Sequence, residues 1–132
     1  MMAMLLGSNL SPFVRKTLLY ILEAGLEGER DNDITPMNGK DLLLAINPRG
    51  TMPAFADNKV KLGESSVICA YLERKYGFSG LYPRDAAKFG MALWYEKWAE
   101  EELIPVIGPI FFNRDVAPMM GQEGMDCLIT NG

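Results

Sequence analysis

Residues 53–77 read PAFADNKVKLGESSVICAYLERKYG, and this stretch narrows the possible folds more than any other part of the chain. Two short runs, PAFAD and VKLG, are separated only by Asn58 and Lys59, the spacing of a tight hairpin. A helical pattern follows at once, with Val67, Ile68, Tyr71 and Leu72 on one face and Gly77 after it. Upstream, AMLLG reads as a short buried strand ending at Gly7 and Ser8. From Pro12 the pattern turns helical, with Val14, Leu18, Ile21 and Leu22 on one face and Gly25 closing the segment. LEGERDNDI is polar and predicts an edge strand, and NGKDLLLAI predicts a short helix. The order β-α-β-α-β-β-α points to a small α/β domain with a mixed sheet.

After residue 77 the pattern changes. GFSGLYPRD interrupts all periodicity and reads as a linker. A long helical run, DAAKFGMALWYEKWAEEELI, begins at residue 85, with Met91, Trp94 and Trp98 at helical spacing and Tyr95 beside them. Such an aromatic stripe is expected to serve packing and dimer contact. Pro105 and Pro109 are expected to kink or end the helix. The last stretch, APMMGQEGMDCLITNG, carries turn chemistry.

Composition removes several function classes. The 132 residues include no histidine, which disfavours His-dependent triads and removes the commonest zinc ligand. A formal net charge of −4 supplies no basic field for nucleic acid. Cys69 and Cys127 form no CxxC pattern and are expected to be reduced thiols in a cytoplasmic protein. The apolar start MMAMLLGS lacks a basic flank, and no run is long enough to span a membrane.

Three segments, SPFVRK at a strand-to-helix corner, INPRGTMPAF before the hairpin and LGESSVICAYLERKYG after it, stand in an order that resembles the glutathione transferase family. The resemblance implies a thioredoxin-like glutathione-binding domain over residues 1–77 and a linker at 78–84. An all-helical second domain would start at 85 and remain incomplete at 132. It also implies glutathione as cosubstrate, no metal, an electrophilic apolar substrate, a cytoplasmic setting and a homodimer. Because family members continue through several more helices, the electrophile site is expected to be incomplete and Trp94 and Trp98 poorly covered.

The candidate site residues follow from both kinds of reading. With Pro12 as first helical residue, Ser11 is the N-cap, and an anion beside it is favoured by the helix dipole. The resemblance implies that Ser11 stabilises the glutathione thiolate, with Ser8 as a nearby rival. A hydrogen bond to a charged group is worth roughly 1.5–3 kcal/mol and the helix end about 0.3–1, so together they can lower a thiol pKa by about one to three units. Met52 and Pro53 fall where the family carries a cis proline whose preceding backbone pairs with the cysteinyl part of the ligand. A trans proline opening an edge strand is the structural alternative. Glu64 and Ser65 open the second long helix, where the resemblance places the γ-glutamyl end; ordinary capping chemistry is the alternative. Lys40 is the candidate for the glycyl carboxylate, although its loop is offset by about one position, and a solvated surface lysine is the other reading. Arg15 and Arg49 read as structural or surface residues, and Cys69 as a core thiol. Two other functions stay open: a non-catalytic interaction module, and a glutathione-dependent thiol reductase, which would want a cysteine where Ser11 stands.

Overall fold

The computed structural model describes residues 3–77 and 79–123. The chain divides into two compact units, Met1–Tyr82 and Pro83–Gly132. The first contains β1 (Met4–Leu6), α1 (Pro12–Glu23), β2 (Glu29–Asp31), α2 (Lys40–Leu44), β3 (Ala54–Ala56), β4 (Lys61–Gly63) and α3 (Ser65–Tyr76). The four strands form one sheet in the order β2-β1-β3-β4. β1 runs parallel to β2 and antiparallel to β3, and β3 pairs antiparallel with β4. This is a thioredoxin-like arrangement, and the polar second strand lies at the edge as its composition predicts.

Alternation along the central strands assigns the layers. Leu6 and Ala54 pack with Leu43 of α2 on one face. Leu5 and Phe55, paired across β1 and β3, turn to the other face and line a cavity with Ile21 of α1 and Leu72 of α3. Every residue of β3 is buried, as expected of a central strand covered on both sides. Burial of side chains such as Phe55, Leu43 and Ile68 stabilises the unit by about 1.5–3 kcal/mol each.

Both long helices differ from the expected faces. In α1 the buried stripe is Val14, Thr17 and Tyr20, whereas Leu22 is exposed. The polar members can be buried because each is satisfied: Thr17 Oγ1 donates to the Phe13 carbonyl at 3.1 Å, and the Tyr20 hydroxyl donates to Glu73. In α3 the buried set is Ser65, Ile68, Cys69, Leu72 and Glu73, which turns Val67 outward. Cys69 is a core thiol, as its place among apolar residues suggests; Cys127 lies outside the described residues.

Two carboxylate networks fasten the far half of α3. Asp57 Oδ1 accepts from the Lys59 and Val60 amides, and its Oδ2 accepts from the Tyr71 hydroxyl at 2.8 Å and Lys75 at 2.5 Å. Burial alone would raise the Asp57 pKa, but these donors hold the carboxyl well below the usual range, while the same contact raises Lys75. Glu73 accepts from Tyr20, from the Ser79 amide and from the Ser79 hydroxyl. Burial, and then the hydrogen bond to Glu73, push the Tyr20 phenol up to about 12. With Tyr82 packed against the Tyr20 ring, residues 79–82 are tied to the first unit.

The second unit is helical from Ala86 to Met119, interrupted by π-helical turns at Ala99–Leu103 and Phe112–Val116. Of the kink or end expected at Pro105 and Pro109, the end does not occur: the helical run continues through both. Pro105 lies at the start of the segment Ile104–Phe111, directly after the first π turn, where the wider turn accommodates a residue without an N–H. Asp85 caps the first helix by accepting from the Lys88 amide. Met91, Trp94, Tyr95 and Trp98 are exposed, with Trp94 at 63% and Trp98 at 51%, and the Trp94 and Tyr95 rings lie against each other with centroids 5.8 Å apart.

Candidate functional site

The candidate residues lie where three connections leave the sheet. The first is the corner between β1 and α1. Gly7 has φ +145°, and a Cβ there would come within 2.6 Å of Val14 Cγ2 and 3.0 Å of Met52 Cβ. Glycine therefore allows the corner to press against the Met52–Pro53 peptide. Beyond it, Ser11 adopts an extended conformation and caps α1, its Oγ accepting from the Val14 amide at 3.3 Å. Pro12 occupies the first helical position, where no N–H is needed. Ser11 is buried, and because its oxygen is the acceptor in the cap bond, the hydroxyl proton remains available for donation. Ser8 is also buried and accepts from the Leu10 amide at 3.3 Å.

The second connection leads from α2 into β3. Asn47 is buried and organises it: Nδ2 donates to the Thr51 carbonyl and hydroxyl at 2.9 Å, Oδ1 accepts from the Arg49 amide, and its carbonyl accepts from Gly50. The Met52–Pro53 bond that follows is cis. Nothing in the sequence pattern marks Asn47 as a site-building residue: the Asn-Pro pair signals a turn but does not reveal that the side chain spans the loop. Lys40 opens α2 and is exposed, and its Cε lies 3.8 Å from where a Gly50 Cβ would stand. The lysine thus reaches the same loop despite its offset in sequence.

The third connection joins β4 to α3. A Cβ at Gly63 would fall 2.6 Å from the Asn47 amide group, so the end of β4 sits on the Asn47 loop. Glu64 then takes φ 66° and ψ 120°, an uncommon conformation for a residue with a Cβ, and its side chain makes no cap hydrogen bond. Its Oε1 accepts from Arg49 at 2.7 Å, although both side chains are largely exposed. Arg49, read from the sequence as a structural or surface residue, is thus tied to a candidate site residue. Ser65 is buried at the first position of α3. Lys16 donates to Ser66 Oγ at 2.7 Å, which links the opening turns of α1 and α3. Helix N-termini, exposed cations and a buried hydroxyl suit a ligand carrying several anionic groups.

Residues 5–80 match the profile described as Glutathione S-transferase, N-terminal domain. The chain belongs to the glutathione S-transferase family. It is 29% identical to a glutathione S-transferase of Hyoscyamus muticus, over 93% of this chain and 60% of that protein. It is 34% identical to a probable glutathione S-transferase, GSTF2, of Oryza sativa subsp. japonica, over 88% of this chain and 55% of the relative. A crystal structure of glutathione transferase F2 from Populus trichocarpa superposes with a TM-score of 0.82 at 27% identity, covering 98% of this chain and 62% of that one. A theta class glutathione S-transferase from Xanthomonas axonopodis pv. citri, solved with glutathione bound, gives 0.82 at 26% identity over 96% and 61%. The chain thus spans about three-fifths or less of the length of these relatives.

Proposed function

We propose that this chain binds reduced glutathione, holds it as the thiolate and adds it to an electrophilic apolar compound. The observation that carries this reading is the meeting of the Ser11 corner, the Met52–Pro53 peptide and the Glu64–Ser65 helix start around the Asn47 loop. Ser65 and Glu64 would receive the carboxylate and amino group of the γ-glutamyl end. Backbone groups of Met52 would pair with the cysteinyl part, and Lys40 would meet the glycyl carboxylate. The glutathione-bound relative supports the ligand class.

The reacting sulfur belongs to the cosubstrate. Its proton leaves to solvent, and the Ser11 hydroxyl donates to the sulfur anion while still accepting from Val14. The thiolate then attacks an electrophilic carbon, forming a carbon–sulfur bond as the leaving group departs with its electron pair. Ser11 stabilises this nucleophile and makes no covalent bond. The same reading assigns residues 1–77 to the glutathione-binding domain, 78–84 to the linker and 85–132 to the start of the helical domain. It places the protein in the cytoplasm as a homodimer.

Calorimetric titration with reduced glutathione tests the binding half. Ser11→Ala tests the chemistry: conjugation should fall roughly 10- to 100-fold, the loss expected from one hydrogen bond to a charged group, while glutathione still binds. The thiolate ultraviolet absorbance of the complex should weaken in parallel. If Ser8→Ala produces that loss and Ser11→Ala does not, the thiolate donor is Ser8.

A further inference from the structure

We propose that Arg49 is a positioning residue for the γ-glutamyl end of glutathione, acting through Glu64. This rests on the glutathione reading above. The ends of the Arg49–Glu64 bridge are anchored in different ways. Arg49 sits in the loop whose backbone Asn47 holds by bonds to the Arg49 amide, the Gly50 amide and Thr51. Glu64 follows Gly63, which rests on the same Asn47 side chain, and its uncommon φ of 66° fixes the direction of its Cα–Cβ bond. Between two such held backbones, a guanidinium–carboxylate contact of 2.7 Å restrains a side chain that would otherwise sample many rotamers.

Side-chain exposures of 73% and 53% argue against a stabilising purpose, because water screens such a pair. The contact engages one carboxylate oxygen, Oε1. Oε2 remains to accept from the ligand's α-ammonium, so Glu64 can serve Arg49 and ligand together. Arg49 pre-orders the acceptor, and the entropy of fixing that side chain is met before the ligand arrives.

The test is titration of the 132-residue chain and its R49Q, R49K, E64Q and double R49Q/E64Q variants. The ligands are reduced glutathione and its desamino analogue, glutaryl-cysteinylglycine. R49Q should raise the Kd for glutathione about two- to fivefold, the range open to an exposed ion pair, with the melting temperature unchanged. R49K should recover part of the loss. The R49Q effect should vanish in the E64Q background and with the desamino ligand. An equal loss in either of those cases, or no loss at all, overturns the inference while the glutathione reading stands. No glutathione binding by the unsubstituted chain overturns both.

Discussion

The two ends of α3 use carboxylates in opposite ways. At its start, Glu64 is exposed, holds an uncommon backbone conformation and meets an exposed arginine. Along its last turns, Tyr71, Glu73 and Lys75 enter networks around buried carboxylates, and Asp57 is only 2% exposed. Charge at the first end is left accessible and adds little to folding. Charge at the second is removed from water and is tolerable only because every oxygen finds donors. The helix therefore has a buried, stabilising end and an exposed end that the proposed function assigns to the ligand.

Substitutions can break that contrast, beginning with the buried end. Asp57→Ala removes the acceptor for Tyr71, Lys75 and two turn amides and should cost about 3 kcal/mol in chemical denaturation. Glutathione affinity should not change. The pH dependence has a definite sign. Because folding depresses the Asp57 pKa, its contribution is complete above the ordinary value of 3.8 and is lost as pH falls through the folded value. The wild-type chain should therefore lose stability below that point, and Asp57→Ala should flatten this acid limb.

Tyr20→Phe should cost about 2 kcal/mol, since it deletes a hydrogen bond to Glu73. The Tyr20 phenol is raised from 10.0 to about 12, so its contribution is whole below 10.0 and is lost as pH rises through about 12. The phenylalanine variant should lack that alkaline dependence.

Ser11→Ala should lower stability by about 1 kcal/mol through loss of the α1 cap, a change read by melting temperature. Its catalytic loss should exceed that, which separates capping from thiolate stabilisation. The smallest stability effect belongs to Glu64→Gly. Relief of the positive φ should leave stability unchanged or raise it by up to about 1 kcal/mol, while glutathione affinity falls. A marked destabilisation there would erase the distinction between the two ends.

Much of the first unit was legible in the chain. Helical spacing located α1 and α3, a short apolar run located β1, the Asn58–Lys59 spacing located the hairpin, and Ser11-Pro12 located a helix start. The ordered motifs pointed to the family. What was misread has one cause: a single sequence does not state which face of a helix its partners cover. Leu22 and Val67 fit the apolar pattern yet face outward, and Thr17, Tyr20 and Glu73 look polar yet lie inside. Their burial depends on partners such as Phe13, Ser79 and one another.

The candidate site divides the same way. Local chemistry marked helix starts at Ser11 and at Glu64–Ser65, because such a start is written in adjacent residues, and the ordered motifs of the family resemblance made those positions site candidates. Tertiary structure decided that Gly7 would meet Met52, that Gly63 would rest on Asn47, that Lys40 would reach the loop carrying Arg49, and that Arg49 would meet Glu64. Sequence determines short-range backbone preferences directly. Contacts between residues far apart in the chain exist only after the sheet has brought their loops together.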